Sequence, residues 1–154
     1  MAEDRWLTDD EQHAWRSFVA VVELLSRRLD TQLQRESQLS HFEYFVLGML
    51  SEAPDRTLRM TALAGQTNAT LPRLSHVVSR LEQRGYVTRS PCPEDRRATN
   101  ASLTEEGWTK VVAAAPGHVR TVVNEVLEPL KGRDVADLDR IMRRILARLT
   151  ESRE

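Results

Sequence analysis

The chain has 154 residues, enough for one domain with a sizeable core, and its 40% hydrophobic and 29% charged content describes a soluble globular protein. A formal net charge of −1 excludes a bulk polycation, so any attraction to nucleic acid must come from local clustering. No run of about 18 apolar residues is present, which excludes a spanning helix. The single cysteine, Cys92, excludes an internal disulfide and fits a reducing cytoplasm.

The first residues, Met1 to Arg5, are acidic and lack the apolar core of a signal peptide. Thr8 and Glu11 then have capping-box spacing and open a helix. Its apolar set, Trp15, Phe18, Val19, Val22, Leu25, Leu29 and Leu33, recurs every three or four residues over about five turns. That length exceeds what a small domain needs to cover one core, so its N-terminal turns, with Trp6 and Leu7, are expected to pack on a second subunit. Ser40 and Glu43 repeat the box and open a second helix, with Phe42, Phe45, Val46, Met49 and Leu50 expected inward. Pro54 forbids its continuation. Ala53–Arg56 reads as a turn and Thr57-Leu58-Arg59 as a short strand.

From Leu58 to Gly107 the pattern becomes helix, turn, helix, hairpin. Met60–Thr67 is helical, Asn68–Thr70 is a polar break, and Leu71–Arg84 is a second helix closed by Gly85. Tyr86–Ser90 and Ala98–Leu103 are extended runs on either side of a Pro- and charge-rich tip, Pro91–Arg97. This order is that of a winged helix-turn-helix, whose second helix enters a DNA major groove. Thr70 can cap that helix, and Pro72 falls in its first turn, where a missing N–H costs little. Leu71, Leu74, Val78 and Leu81 share one side and are expected in the core. Arg73, His76, Arg80 and Arg84 form another stripe, with Ser75 and Ser79 beside the core edge. Guanidiniums on one face suit phosphate contact or bidentate reading of guanine. Taken alone, such a stripe describes any solvated helix face. The segment from Arg73 to Arg97 adds weight, with six arginines against Glu82, Glu94 and Asp95.

Thr104 begins a further helix carrying Trp108, Val111, Val112, Ala115, Val119, Val122, Val123, Val126 and Leu127. Pro116-Gly117 is expected to kink or break it, since proline inside a helix costs about 3 kcal/mol. Leu130-Lys131-Gly132-Arg133 is a turn, and Asp134 is expected to cap the last helix. Val135, Leu138, Ile141, Met142, Ile145, Leu146 and Leu149 give that helix a broad apolar face.

Enzyme chemistry finds little footing, and no cofactor is implied. His13, His41, His76 and His118 sit far apart, none paired with Cys or Asp at metal-ligand spacing. Neither a Gly-rich phosphate loop nor a nucleophile elbow occurs. Asp9-Asp10-Glu11 reads as helix N-terminal charge complementing the dipole. No catalytic or metal site is expected.

The run from the hairpin tip into the next helix, Asp95-Arg96-Arg97-Ala98-Thr99-Asn100-Ala101-Ser102-Leu103-Thr104-Glu105-Glu106-Gly107, resembles the wing signature of the MarR (multiple antibiotic resistance regulator) family of transcriptional regulators. There an Asp-x-Arg is followed after five residues by Leu-Thr and then a Gly, positions filled here by Asp95, Arg97, Leu103, Thr104 and Gly107. Leu63-Ala64, Ser75, Arg80-Leu81-Glu82 and Arg84-Gly85 fit the family's helix-turn-helix without a gap, and the likeness covers nearly the whole chain.

The resemblance implies a mainly α, α+β winged-helix protein forming one domain over residues 1–154. Residues 8–36 and 105–152 would be dimerisation helices that interleave with a twin's, and 40–104 the DNA-binding lobe. The expected function is a homodimeric, sequence-specific transcriptional regulator, most simply a repressor on a pseudo-palindromic operator. Its partner would be double-stranded DNA, with Arg73, Ser75, His76, Ser79 and Arg80 in the major groove. Arg96 or Arg97 would reach the minor groove, where A·T-rich geometry attracts arginine. Asp95 is expected to salt-bridge an arginine and hold the wing. A small anionic or aromatic effector is implied between dimer helices and lobes, with Trp15, Phe18, His41, Phe42, Phe45 and Trp108 as candidate lining and plain core packing as the simpler role. Two other functions fit the same residues: a winged-helix module that binds an acidic protein, and an oxidant sensor at Cys92. That thiol is expected to be exposed, with Arg89, Arg96 and Arg97 near in sequence to lower its pKa. Relatives that sense oxidants typically do so from the first helix, where this chain has no cysteine.

Overall fold

The computed structural model describes residues 5–151; the reading of the first four residues and the final residue of the 105–152 span fall outside them. Contacts divide the chain into two compact units, one ending at His118 and one beginning at Val119.

In the first unit, α1 (Asp9–Ser37) opens on the Thr8 box, with Glu11 N–H donating to the Thr8 hydroxyl and Thr8 N–H to the Glu11 carboxylate. At 29 residues it is about 43 Å long. It ends where Gln38 turns left-handed (φ 50°) and Leu39 N–H reaches back to the Leu33 carbonyl, a Schellman closure without glycine. Only its last turns are buried, through Leu29, Gln32, Leu33 and Ser37. Trp15, Val19 and Val22 stand exposed. Helix α2 (His41–Glu52) opens on the Ser40–Glu43 box and buries Val46, Leu47 and Leu50. Phe42, Phe45 and Met49 are only half-buried.

After a short 3₁₀ turn (Pro54–Arg56) come β1 (Thr57–Arg59), α3 (Met60–Gln66) and α4 (Leu71–Gln83). The α3–α4 turn puts Asn68 at φ 52°, a left-handed position that asparagine tolerates better than most residues. Thr67 seals the end of α3 by donating its hydroxyl to the Leu63 carbonyl at 2.7 Å. Gly85 closes α4 at φ 79°, and Tyr86 N–H bonds back to the Leu81 carbonyl. Strands β2 (Val87–Pro91) and β3 (Thr99–Leu103) make the wing, and β1 completes an antiparallel sheet of order β1-β3-β2. Leu58 faces Ala101 and Arg89 faces Ala101 from the other side. The core lies under this frame, where Leu33 and Leu39 meet Leu47 and Leu50 of α2, Leu63 of α3, Leu74, Val78 and Leu81 of α4, and Val87 and Ala101 of the sheet.

Helix α5 (Glu105–Val122) begins at Thr104, whose hydroxyl accepts from Gly107 N–H and donates to the Gly85 carbonyl at 2.6 Å. Of the two outcomes expected at Pro116-Gly117, a kink or a break, the break does not occur: Pro116 lies inside the helix. Val111 and Ala114 join the core on the preceding turn, and Gly117 lies so close to α1 that a Cβ there would meet Gln32 Nε2 at 2.9 Å. Packing thus outweighs the lost hydrogen bond.

The second unit holds the end of α5, a wide π turn at Val123–Leu127 with Glu128 N–H on the Val123 carbonyl, and α6 (Asp134–Glu151). Asp134 is not the cap expected of it. It is the first helical residue, and its carboxylate accepts the Lys131 N–H at 2.7 Å. No residue of α6 is buried: Val135, Leu138, Ile141, Ile145, Leu146 and Leu149 are all exposed. Among the described residues no helix is long and apolar enough to cross a membrane. The expected fold class, mainly helical with a small winged sheet, is the one observed.

Candidate nucleic-acid interface

The outward side of α4 is set by what the inward side buries. With Leu74, Val78 and Leu81 in the core, Pro72, His76 and Gln83 point most directly away, flanked by Ser79 and Ser75 toward the wing and by Arg73 and Arg80 toward α2. His76, Arg73 and Arg80 are exposed; Ser75 and Ser79 are half-buried. Leu71 is not the core residue that periodicity predicts. It is 44% exposed because it is the first residue of α4, beyond the last turn that the core covers. It lines instead a groove of about 230 Å³ with Arg59, Thr61, Ser75, Arg89 and Arg97.

The arginine stripe does not act as one set. The Arg73 guanidinium lies 4.2 Å from the centre of the Phe42 ring. Arg80 and Arg84 converge on Glu43, at 3.3 and 3.6 Å. Arg84 also donates to the Gln38 carbonyl at 2.8 Å. Three members of the stripe are therefore held by α2 and the turn before it, while His76 stands apart from them.

The wing is joined to α4 by a contact that sequence reasoning missed. Glu82 takes both Nε and Nη2 of Arg89 on one oxygen, at 3.1 and 2.8 Å, and the Arg89 N–H on the other. Hydrogen bonding to Arg89 holds the Glu82 carboxyl below the usual carboxylate range. The spacing of Glu82, seven residues from Arg89 across a glycine turn, is the only signal of it in the sequence. At the tip, Asp95 does not make the salt bridge expected of it: its Oδ1 accepts the Arg97 backbone N–H at 3.1 Å, and its carbonyl accepts from Ala98 N–H. A short carboxylate inside a tight turn reaches the nearest amides before any guanidinium. Arg96 and Arg97 are exposed, and Arg97 is the one that lines the groove beside α4.

Cys92 is not exposed either. At 3% exposure it is folded under the tip, with its own N–H on the Ala98 carbonyl. Backbone N–H groups of Glu94 and Asp95, and then Arg59, lower its pKa against the opposing effect of burial. Its covering removes the ready access that an oxidant sensor at this thiol requires.

The six aromatic and histidine residues suggested as an effector lining are not brought together within the chain. His41, Phe42 and Phe45 do line a cleft of about 520 Å³, with Arg27, Asp30 and Thr31 of α1 and Arg73 of α4. Trp15 and Phe18 pair with each other, ring centres 6.2 Å apart, on the uncovered half of α1. Trp108 lies under the Arg56 guanidinium at 4.1 Å. Local periodicity could list these rings but not sort them by neighbour. Beside the cleft, the His41 and His118 rings stack at 6.0 Å, and Tyr44 meets His118 at 4.5 Å. Burial lowers the pKa of both histidines, against Asp30 for His41 and reinforced by His41 for His118.

Helix, turn, outward-facing helix and a wing tied to it by Glu82–Arg89 define a winged helix-turn-helix protein. Residues 39–99 match the MarR family. Among solved structures, the chain is similar to Sco3205, a MarR family transcriptional regulator from Streptomyces coelicolor in complex with DNA, at 44% identity and TM-score 0.92, covering 95% of this chain and 91% of that one. It is similar also to AbsC, a MarR family transcriptional regulator from the same organism, at 37% identity and TM-score 0.91, over 96% of this chain and 99% of that one. Among curated proteins it is 32% identical over 80 residues to the HTH-type transcriptional repressor YetL of Bacillus subtilis, covering 52% of this chain and 48% of that protein. The match to the HTH-type regulator YdcH of the same organism is 36% over 85 residues, or 53% and 56%. The chain spans about half the length of the curated relatives it matches. The chain belongs to the MarR family of transcriptional regulators.

Proposed function

We propose that this chain is a homodimeric, sequence-specific DNA-binding regulator, and a repressor of a pseudo-palindromic operator from which a small anionic or aromatic effector releases it. The observation that carries the DNA reading is the outward face of α4, with His76 exposed, Ser75 and Ser79 beside it, and the Arg96–Arg97 tip projecting from a wing fastened to the same helix. In this reading Ser75, His76 and Ser79 meet base edges, Arg73 meets the groove margin, and Arg96 or Arg97 meets the backbone or minor groove. Likeness over nearly its whole length to Sco3205, which was solved in complex with DNA, supports it. The name of YetL as a repressor supports the sign of regulation.

Dimerisation is supported by apolar surface that a single chain leaves bare: Trp15, Val19 and Val22 on α1, and the α6 face from Val135 to Leu149. In the proposed dimer, residues 8–36 and 105–152 form the interface and 40–104 the DNA-binding lobe. The cleft lined by His41, Phe42, Phe45, Arg27, Arg73 and Asp30 supports the effector, since its roughly 520 Å³ suits a small organic molecule and its two arginines outnumber its one carboxylate. An effector that prefers the unbound lobe spacing lowers DNA affinity by that preference alone.

The test is to incubate the purified chain with fragmented genomic DNA, sequence what it enriches, and titrate the enriched duplex against a scrambled one. An inverted repeat bound by two chains is the expected result. Equal affinity for enriched and scrambled duplexes would remove the sequence-specific reading.

A further inference from the structure

Glu43 is the third residue of α2, where a capping box needs only a carboxylate or amide reaching back to one N–H. It does that through Oε2, which accepts Ser40 N–H at 2.8 Å. Yet its side chain is 2% exposed, although its neighbours in the turn, His41 and Phe42, are only half-buried. Oε1 has no aligned hydrogen bond; it is compensated by charge alone, from Arg80 at 3.3 Å, while Oε2 has Arg84 at 3.6 Å. Arg80 is 56% exposed and lies on the flank of the outward face of α4, where its guanidinium could otherwise turn toward a duplex.

We propose that Glu43 is a positioning residue of the DNA interface, holding Arg80 back from the duplex so that contact is left to Arg73, Ser75, His76, Ser79 and the wing. This rests on the DNA-binding reading above and departs from the sequence expectation at one residue: Arg80 is a held arginine rather than a reading one. The competition explains why it is held. A phosphate at the surface sits in water and salt, which weaken its pull. Glu43 sits where water is excluded, so its attraction for a cation is stronger, and losing Arg80 would leave a buried carboxylate with Arg84 alone, at the longer distance. Holding Arg80 lowers the share of affinity that comes from sequence-independent phosphate contact, and so raises the share that depends on sequence.

The experiment is a double-mutant cycle on binding to enriched and scrambled duplexes across 50–200 mM salt, using the full chain. Glutamine at 43 keeps the N–H contact of the box and removes only the charge. Glu43→Gln should steepen log K against log salt by about 2, one freed contact in each of two lobes, and narrow the ratio of specific to non-specific affinity. Arg80→Gln in the wild-type background should leave slope and ratio unchanged, and in the Glu43→Gln background should restore both. Circular dichroism and thermal unfolding of each variant report on the fold independently. A wild-type chain that binds duplex while Glu43→Gln leaves its slope unchanged overturns the inference and spares the DNA reading. So does Arg80→Gln flattening the slope by itself, a result that does not depend on Glu43→Gln folding. Absence of binding by the wild-type chain would remove the DNA reading and the inference together.

Discussion

Gly107 shows how one position can be closed to every other residue without any left-handed backbone. A Cβ there would lie against the Tyr86 carbonyl oxygen and 2.6 Å from Leu103 Cδ1, so α5 starts directly on the root of the wing. Gly107→Ala forces the helix and sheet apart and should cost roughly 1–3 kcal/mol, as overpacking of a tight core does. A fall of several degrees in Tm by calorimetry is expected, and an unchanged Tm would mean that this junction yields freely. Glu82 acts through charge instead. Its carboxyl titrates below the unfolded value near 4.3 because Arg89 binds its charged form. The stability it contributes is therefore complete above about pH 4.3 and lost as pH falls through the lower folded value. Both side chains are about a third exposed, so solvent screening keeps the pair to about 0.5–1 kcal/mol. Glu82→Gln should lose that much at pH 7, and the gap between the two chains should close at a pH below the folded value. Denaturant midpoints at the two pH values decide this; parallel pH dependence in both chains would sink the assignment.

The elements themselves are legible in the sequence because their signals are local. Two capping boxes, the Gly85 stop and the Pro-rich tip each specify a boundary within four residues of themselves, and each boundary forms. What is illegible depends on contacts far apart in sequence. Nothing near Glu43 says that it is buried against arginines 37 and 41 residues on. Nothing near Cys92 says that the tip folds over it, and a leucine at core spacing is left bare at Leu71 because the helix begins there. Periodicity makes the α4 stripe one face, yet tertiary partners divide it. His76, exposed and without a tether in α2, should carry sequence discrimination, and His76→Ala should cost roughly 1–3 kcal/mol against the enriched duplex and little against a scrambled one. Arg97, whose side chain is exposed while its backbone N–H is held by Asp95, should act through charge. Arg97→Ala should weaken both duplexes alike and flatten the salt slope by about 2 for two lobes. Binding isotherms at several salt concentrations separate the two. A variant pair with interchangeable effects would mean that helix and wing do not divide the work as proposed.

The whole molecule carries more apolar surface than a solitary chain of this size keeps in water. Six large aliphatic residues on α6 lie exposed between Val135 and Leu149, at three- and four-residue spacing, and α6 buries none of its own. Most of a protein helix's stability comes from packing its amphipathic face, and α6 buries no residue of that face. In the proposed homodimer the helix and the assembly form together, so folding is second order in chain concentration. Tenfold dilution should then lower the free energy of unfolding by about 1.4 kcal/mol per dimer and bring Tm down by about 2 °C. Ile145→Asp places a charge in the middle of that face, where pairing would have to desolvate it. It should give a chain that sediments as a monomer, with much weaker operator binding because two lobes no longer act together. Deletion of Val135–Glu154 should leave no soluble dimer. Calorimetry over a hundredfold range of concentration, alongside sedimentation equilibrium, is the measurement. A Tm independent of dilution together with monomeric wild-type sedimentation would show that the exposed face is not an interface between copies, and the two-lobed reading of an inverted repeat with half-sites about 34 Å apart would go with it.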